Sequence, residues 1–569
     1  MCDALSQDFA QPGIDNSSKI LELMSRLKIR GMGSIAHEVS IVSSFRCQKR
    51  SNNISGIDYD FISRTIETLA SPLKILYDGF IAEGKLPGSF NCALVTPIYK
   101  KKGSITDPSN YRPISILPLF SKILEKIIFI QLSSFIELEN ILDNEQHGFR
   151  RKRSCFTAAT LFAHDIIFQL DKPHMKCAAV FVDLRKAFDS ISSIKLLEKL
   201  FELDIDPRIL QYLCAFFINR TFKIKLGDFV SKIYSLFRGC PQGSCLSPLL
   251  FAIYYNNVGQ SLLNAKYKLF ADDLVFYIFG VNAVDLVKNI SLILNSLNNW
   301  CAQMELQINF SKTEYMIFHK PQNKIQSDLP EVTCEGSIIA KVNTFKYLGI
   351  HFDSTLSFET HFKHVCSKVS SAVGCLILIK RFINLRTFKV LINSFVYSNI
   401  DYCLPIWGHL SVSHINILQS KINSLLGAYF YPHVCNRFQR LNKIAHKYDN
   451  TSFHTIKIDY DELYDKCNLL TVSERLLYLD AITAWKAIRF PVVPEITPLF
   501  QFGPSDRSQM LKPLPHNTSF FTTSPFYRAI SVWNSLDKLS RNLDLCLIKF
   551  KHSLDAWLIK NRGSDFILN

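Results

Sequence analysis

The stretch Phe270-Ala271-Asp272-Asp273 sets two adjacent carboxylates in a tight turn between two apolar runs. The runs 267–270 and 274–279 predict the two strands of a hairpin around that turn. A second acidic site lies upstream, where Asp183 ends the apolar run 178–182, which predicts a strand buried on both faces. Carboxylates at strand ends can hold two Mg²⁺ ions and direct an in-line phosphoryl transfer. The two acidic sites together therefore predict a nucleic-acid polymerase.

Each of these aspartates also has an ordinary structural interpretation. Aspartate tolerates left-handed backbone and bonds its own main chain, so Asp272 and Asp273 could be turn residues alone. Asp183 could be the N-cap of the segment after it, although Asp189 is the better candidate for that cap. Since successive strand residues point to opposite faces, only one of the adjacent pair can aim fully at a shared metal site. We choose Asp272 for that ligand, with Asp273 in a weaker, supporting position.

Composition narrows the class of protein. The chain has 569 residues, of which 48% are hydrophobic and 20% charged, and this predicts a folded protein of roughly two to four domains. Its formal net charge of +16 favours a polyanionic partner, either nucleic acid or an anionic membrane surface. We find no secretory signal and no run of about 18 to 20 apolar residues, so we expect a protein that is neither secreted nor membrane-spanning. The 16 cysteines include no Cys-x-x-Cys pair, which excludes zinc knuckles and predicts reduced thiols.

The predicted elements divide the chain into two parts. Helical spacing over 58–83, a strand at 91–99 and further strands up to residue 352 alternate with helices, whereas the signal beyond about residue 360 is helical and basic. This order predicts an α+β catalytic core followed by a helical appendage. We expect poor order in residues 1–54.

Between the two acidic sites lies Cys240-Pro241-Gln242-Gly243, where a glycine lets the backbone approach a ligand closely. Asp183 with Phe188-Asp189 resembles motif A of reverse transcriptases. The segment 240–243 resembles their motif B, and the 270–273 turn resembles their motif C. The likeness is to the enzymes of non-LTR (LINE) retrotransposons of the jockey type. Further stretches resemble the same family in the same order: Ser55-Gly56-Ile57-Asp58, Asn110-Tyr111-Arg112-Pro113-Ile114-Ser115, Gln146-His147-Gly148-Phe149-Arg150, Asn309-Phe310-Ser311-Lys312-Thr313 and Tyr347-Leu348-Gly349-Ile350.

The resemblance implies a right-hand polymerase fold. It implies fingers and a palm with an antiparallel sheet, a helical thumb-like region, and a mostly helical C-terminal region, in residues 55–355, 356–440 and 441–569. It also implies two Mg²⁺ ions, which Mn²⁺ could replace, held by Asp183 and Asp272 with Asp273 in support. The expected partners are an RNA template, a DNA primer and dNTPs, and the expected compartment is the nucleus or the cytoplasm.

The same resemblance assigns roles to further residues. Lys312 would protonate the pyrophosphate as a general acid, and Phe188 would be a steric gate that crowds a ribose 2′-hydroxyl. A lysine of the 100–102 loop, taken as Lys101, and Arg112 would bind the triphosphate, since lysine supplies a point charge and arginine a bidentate fork. The other assignments are Gln242 and Gly243 against the nucleotide sugar or template, and Arg150, Arg151, Lys152 and Arg153 on the template backbone.

Other interpretations stay open. The basic runs could be solvated loops or a nuclear localisation signal, and Phe188 could be a core aromatic. The chain could be a catalytically inactive relic that binds nucleic acid, although Asp183, Asp272 and Gln242 are intact. A viral-type RNA polymerase would prefer rNTPs to dNTPs. Only about 54 residues precede the resemblance, so we expect endonuclease function from a missing domain or another protein.

Overall fold

The computed structural model describes residues 2–9, 16–27, 33–47, 59–323, 325, 328–431, 458–490, 494–503, 509–537, 540–541 and 543–562. These parts of the chain mix helices and strands, which confirms the α+β prediction in its coarse form. The α-helices in chain order are α1 (Cys2–Phe9), α2 (Ser17–Ser25), α3 (Glu38–Arg46), α4 (Tyr59–Glu83), α5 (Gly88–Asn91), α6 (Leu119–Leu138), α7 (Cys155–Leu170), α8 (Ser193–Phe201), α9 (Pro207–Phe217), α10 (Ser247–Tyr255), α11 (Ala283–Gln303), α12 (Glu359–Ile379), α13 (Leu385–Leu391), α14 (Ser398–Asp401), α15 (Leu404–Trp407), α16 (Val412–Phe430), α17 (Tyr460–Cys467), α18 (Val472–Arg489), α19 (Pro525–Ser535) and α20 (Leu547–Lys560). The strands are β1 (Cys92–Tyr99), β2 (Tyr111–Ile116), β3 (Lys176–Val182), β4 (Thr221–Leu226), β5 (Phe229–Val230), β6 (Tyr234–Ser235), β7 (Lys266–Phe270), β8 (Asp273–Gly280), β9 (Glu314–Phe318), β10 (Val332–Cys334), β11 (Ser337–Lys341), β12 (Thr344–Tyr347) and β13 (Ile350–Asp353).

The larger sheet has the strand order β10-β11-β9-β3-β8-β7. β3 lies antiparallel between β8 and β9. Its residues alternate between two cores: Ala178 and Val180 pack on the side of α11, and Ala179 and Phe181 pack on the side of α7. A strand that is buried on both faces and paired on both edges cannot change register without exposing apolar surface. The end of β3 is therefore held in place beside the β7–β8 turn.

A smaller sheet has the strand order β2-β1-β4-β5, with β6 also paired to β4. β1 and β2 form an antiparallel hairpin in which Arg112 lies opposite Ile98. Helix α1 packs on this sheet, where Leu5 and Phe9 are 0% and 7% exposed and share a core with Val95. The N-terminal helix thus covers part of the sheet that carries Arg112.

The prediction of poor order in residues 1–54 is wrong for the described part of that segment. Helices α1, α2 and α3 lie there, and Ile20, Ile41 and Phe45 belong to the largest core. These helices are short, so their few apolar residues give no clear period along the sequence. Helices α2 and α3 nevertheless pack against α4, α6 and α9, and α1 packs against β4. The predicted motif Ser55-Gly56-Ile57-Asp58 lies outside the described residues.

Beyond β13 the described residues form helices and irregular segments. Helices α12 to α17 share a core with α7 and β3, and Trp485, Trp533 and Phe550 belong to another core that joins α18, α19 and α20. The segment Glu359–Phe382 has the length and mean hydropathy, 1.4, of a membrane span, with 28% of that window buried. Core helices of soluble proteins meet the same test, and the buried side of α12 packs into the core shared with β3.

Candidate active site

Three carboxylates meet at one end of the larger, six-stranded sheet, the central sheet of the protein. Asp183 follows the last residue of β3, and one further step in the β3–β8 register sets it opposite Asp273. Phe270 pairs with Asp273 to close the β7–β8 turn, and Ala271 takes a left-handed conformation with a φ of 59°. The turn therefore holds Asp272 beside the end of β3. The structure brings together the three aspartates singled out in the sequence, while the preference for Asp272 over Asp273 stays a prediction.

The three carboxylates repel one another. Burial, and then the charge of Asp183, raise the pKa of Asp272. Burial and the charges of Asp272 and Asp183 raise the pKa of Asp273 to about 6. Asp273 lies at the exposed rim of the turn, and repulsion from its two neighbours adds to the effect of burial. A divalent cation would relieve it, and carboxylate oxygens are ligands that Mg²⁺ prefers.

The carboxylates are neighbours rather than a closed metal cage. Among the residues that the structure describes, no group of three or more His, Cys, Asp and Glu side chains converges closely enough to hold a metal ion. The hard oxygen donors and their mutual repulsion fit Mg²⁺, but binding would have to draw the side chains together. The donor set suits the predicted ion in its chemistry.

Asp183 is positioned by the loop that leads into β9, the strand on the other side of β3 from β8. The Nδ2 of Asn309 donates to Oδ2 of Asp183 at 2.8 Å, and the Asn309 amide donates to the Asp183 carbonyl at 2.8 Å. The Asp183 amide donates to Oγ1 of Thr313 at 3.3 Å. Both residues belong to the stretch 309–313 that the sequence singled out, but only Lys312 was given a role in it. Asn309 and Thr313 thus orient the carboxylate that ends β3.

The aspartate turn is clamped from a second direction by Gln146, which is 2% exposed. Its Oε1 accepts from the amide of Gly148 at 2.8 Å and from the amide of Ala271 at 3.1 Å. A Cβ on Gly148 would lie 2.2 Å from the Ala271 nitrogen, so only glycine fits this approach. The sequence marked this segment as a motif without indicating that it touches the turn.

Cations from the loop before β9 and from the β1–β2 hairpin lie near one another beside Asp183. The Nζ of Lys312 lies 3.8 Å from Oδ2 of Asp183, and the lysine side chain is 70% exposed. Burial, and then the charges of Lys312 and Arg112, lower the pKa of Lys100. Lys186 adds a further positive charge and Asp8 a negative one near Lys100, and the remaining excess of positive charge suits a polyanionic ligand. Lys101, the lysine chosen from the sequence, is exposed with a φ of 58°, and Lys100 rather than Lys101 belongs to the converging set.

The Cys240-Pro241-Gln242-Gly243 segment joins the two sheets. Nε2 of Gln242 donates to both carboxylate oxygens of Asp189, at 3.0 and 3.1 Å. The Ser115 amide of β2 donates to the Gln242 carbonyl at 2.7 Å. Gly243 has a φ of 139°, and a Cβ there would lie 2.3 Å from the Ser115 carbonyl oxygen. Gln242 and Gly243 are therefore fixed by packing as well as available to a ligand.

The structure corrects the interpretation of Asp189 as a helix cap. Asp189 lies inside a short 3-10 helix, Ala187–Ser190, and the next helix, α8, has Ser192 at its N-cap position. The carboxylate of Asp189 accepts from Gln242 instead, because the chain reverses between these two segments and brings Gly239 against the Asp189 backbone.

Residues 99–352 match the family model described as reverse transcriptase (RNA-dependent DNA polymerase). The matched range contains the three aspartates, the loop 309–313 and the segment 240–243 in the geometry described above. The chain carries a reverse transcriptase domain. It thereby agrees with the family that the motifs indicated.

The relatives of the chain are proteins of mobile elements. It is 24% identical over 360 residues to the probable RNA-directed DNA polymerase from transposon X-element of Drosophila melanogaster, covering 62% of this chain and 39% of that protein. It is 26% identical over 393 residues to the RNA-directed DNA polymerase from mobile element jockey of Drosophila melanogaster, covering 65% and 42%. It is 24% identical over 445 residues to the retrovirus-related Pol polyprotein from type-1 retrotransposable element R1 of Bradysia coprophila, covering 74% and 42%. The chain spans about two fifths of the length of these relatives. Its reverse transcriptase domain is thus similar to those of jockey-like, non-LTR elements.

Phe188 of the reverse transcriptase domain is half-buried next to the carboxylates. Its ring centre lies 4.8 Å from that of Phe251 in α10 and 6.5 Å from that of Phe149. Its carbonyl accepts from the Cys240 amide at 3.0 Å. The ring is thus both part of the core edge and exposed on one side, so a role as a steric gate stays a prediction.

Two of the four cations predicted to bind the template backbone are structural in the reverse transcriptase domain. Arg150 is 9% exposed and pairs with Glu137 at 3.0 Å. Arg153 is also 9% exposed and donates to the Asn144 carbonyl. For these two the prediction is wrong, because a run of basic residues in a sequence does not tell which side chains turn inward. Arg151 and Lys152 are exposed, and they remain candidates for phosphate contacts.

The part-buried contact between Asp189 and Gln242 makes the stability of the domain depend on pH. Burial raises the pKa of Asp189 to about 6, and the hydrogen bonds from Gln242 offset part of that effect. The folded state therefore holds the proton more tightly than the unfolded state, whose pKa is about 3.9. The free energy of unfolding should therefore fall by up to about 3 kcal/mol as the pH rises from about 4 to about 6. Above that range it should not change further through this group.

Replacing Asp189 with asparagine removes this titration, so the melting temperature of Asp189→Asn relative to wild type should be higher at pH 7 than at pH 5. Thermal unfolding at the two pH values measures the difference. Asp228→Asn, at an exposed turn, is the matched control and should show the same relative melting temperature at both. An equal difference for Asp189→Asn at pH 5 and pH 7 contradicts the argument.

Proposed function

We propose that the chain is an RNA-directed DNA polymerase, a nucleotidyltransferase that extends a DNA 3′ end on an RNA template. The observation that carries this proposal is the meeting of Asp183 with Asp272 and Asp273 at one end of the central sheet, inside the range that matches the reverse transcriptase family. The central sheet would be the palm, the smaller sheet with its β1–β2 hairpin the fingers, and the helices from α12 onward the thumb.

The proposed chemistry is two-metal phosphoryl transfer. Two Mg²⁺ ions, or Mn²⁺ in their place, would be held by Asp183 and Asp272 with Asp273 in support, and would activate the primer hydroxyl and stabilise the leaving pyrophosphate. Asn309 and Thr313 hold Asp183 by hydrogen bonds, and Gln146 holds the turn that carries Asp272. The protein's own contribution is mainly positioning, as is usual for phosphoryl transfer.

The triphosphate would lie among Lys100, Arg112 and Lys312. Burial, and then the charges of Lys312 and Arg112, lower the pKa of Lys100, while Asp8 offsets part of the effect, so positive charge is in excess there. Lys312 reaches Asp183 from the rim, where it could donate a proton to the leaving pyrophosphate. We propose Phe188 as the residue that discriminates dNTPs from rNTPs. The DNA end would come from an endonuclease in another domain or protein, and the reaction would take place in the nucleus or the cytoplasm.

A catalytically inactive relic that binds nucleic acid is the alternative. The carboxylates that do not close into a metal cage are compatible with it. The retained hydrogen bonds to Asp183 favour activity, since an unused carboxylate needs no donors to orient it.

Primer extension by the purified chain tests the proposal. With a poly(rA) template, an oligo(dT) primer and Mg²⁺, we expect incorporation of dTTP and little incorporation of UTP. Chelation of the cation should stop the reaction, and Mn²⁺ should restore it. A folded protein that binds the hybrid and incorporates nothing would establish the relic, and a preference for UTP would indicate an RNA polymerase.

A further inference from the structure

A cavity of about 290 Å³ lies between α7 and the C-terminal helices α18 and α19. Its lining is mostly apolar and aromatic, and Phe156, Phe490 and Phe526 contribute rings to it. A volume of this size is near the lower end of the range of small-ligand sites, about 300 Å³. The space suits one flat ring system rather than a large ligand.

One polar group inside this cavity has no partner. Thr160 of α7 lines the cavity and is 1% exposed, and its hydroxyl makes no hydrogen bond within the part of the chain that the structure describes. By contrast, the hydroxyl of Thr157 bonds His147 at 2.8 Å, and that of Thr483 donates to the Leu479 carbonyl at 2.8 Å. A buried hydroxyl without a partner is rare in folded proteins, and a bound ligand is one way to satisfy it.

The charged residues that line the cavity are cationic. They are Lys152 and Lys486, and no acidic residue is among the described residues of the lining. The Nζ of Lys152 lies 4.9 Å from the ring centre of Phe490, and Lys486 is exposed to solvent. Two lysines beside an aromatic cavity suit a ligand that joins a flat ring to an anion.

The cavity is close to the catalytic turn along the chain. Gly148 touches the backbone of Ala271, and Lys152 follows four residues later, a distance of at most about 14 Å for an extended chain. Phe149 and Arg151 between them are exposed. A strand that passes the catalytic turn would therefore reach the cavity within a few nucleotides.

We propose that this cavity binds one unpaired base of the single-stranded RNA template ahead of the site of synthesis, with an adjoining phosphate on Lys152 and Lys486. The inference rests on the proposed polymerase function. The aromatic rings offer a stacking surface that any base can use, and the Thr160 hydroxyl bonds an edge of the base. The reverse transcriptase domain and the C-terminal helices then hold the incoming template between them.

Binding of template–primer hybrids to the full chain tests the inference, measured by fluorescence anisotropy without dNTP or divalent cation. One hybrid is blunt and others carry a 5′ template overhang of ten nucleotides, in which single positions are made abasic in turn. For wild type we expect tighter binding with the overhang, and a loss of roughly tenfold at one abasic position.

The variants isolate the cavity from the rest of the binding surface. Ala487→Trp fills the cavity, Thr160→Val removes the hydroxyl at nearly constant shape, and Lys486→Gln removes one charge. In Ala487→Trp the abasic position should no longer lower the affinity, while the affinity for the blunt hybrid stays at the wild-type value. In Thr160→Val and Lys486→Gln the abasic position should lower the affinity less than in wild type. Lys549→Gln removes one charge from an exposed site on α20 and should behave as wild type.

The outcomes separate this inference from the proposed function. An abasic scan without a sensitive position in wild type overturns the inference, as does the same sensitive position in Ala487→Trp and Thr160→Val. Binding of the blunt hybrid is unaffected by either result, because it reports the polymerase cleft alone. Failure of wild type to bind the blunt hybrid would remove the proposed function and this inference with it.

Discussion

Replacing Asp272 with asparagine is expected to lower the rate of nucleotide incorporation at least about a thousandfold, and Asp183→Asn should do the same. Both changes remove an anionic oxygen from the cluster that would hold the metal ions, and an amide oxygen binds Mg²⁺ more weakly. Single-turnover extension of a primer on an RNA template measures the effect. Affinity for the template–primer hybrid should stay near that of wild type.

Loss of folding is easily separated from loss of chemistry in these variants. The pKa of Asp272 is raised by burial and by the charge of Asp183, so its neutral replacement relieves repulsion, and the melting temperature should be equal or higher. Asp228→Asn, at an exposed turn, is the matched control and should keep full activity. Activity of Asp272→Asn within tenfold of wild type would rule out the assignment of the metal site.

Replacing Gly148 with alanine is expected to lower incorporation roughly a hundredfold, although no catalytic group is changed. The new Cβ would lie 2.2 Å from the Ala271 nitrogen and 3.0 Å from the Phe270 carbonyl carbon. Backbone atoms cannot rotate away as a flexible side chain can, so the aspartate turn must move. The shift displaces Asp272 relative to Asp183, which the loop at Asn309 holds independently.

Gly79→Ala is the control for this substitution. Gly79 lies in α4, and nothing is within 4 Å of a Cβ placed there. That change should leave incorporation unaltered and stabilise the helix slightly, since alanine is the better helix former. Incorporation by Gly148→Ala at the wild-type rate would mean that the approach of this segment does not position the turn.

Strong local patterns explain where the secondary structure was predicted well. The apolar run before Asp183 is β3, the runs around Asp272 are β7 and β8, and the helical spacing over 58–83 is α4. Helix α7 was missed because most of its positions from Ala158 onward are buried, so no polar face marks its period. Helices α1 to α3 were missed because each is too short to show a helical period in its apolar residues.

The candidate site was predicted in its residue types and not in its contacts. Asp183, Asp272 and Gln242 stand out because carboxylates and a glutamine interrupt apolar segments. The bonds that position them could not be seen, because Gln146 and Ala271, or Asn309 and Asp183, are far apart along the chain. The predictions for Arg150 and Arg153 were wrong for the same reason, because their partners are set by how the chain folds back and not by neighbouring residues.

The sequence by itself determined the acidic pair of sites, the strands that carry them and the family they resemble, since each depends on neighbouring residues and on alternation of period 2 or 3.6. Only the tertiary structure decided that Gln146 clamps the aspartate turn, that Gln242 binds Asp189, that Lys100 rather than Lys101 joins the cations, and that a cavity opens beside Lys152. These features depend on the distances between segments that the folded cores bring together, and no local pattern of residue types encodes such a distance.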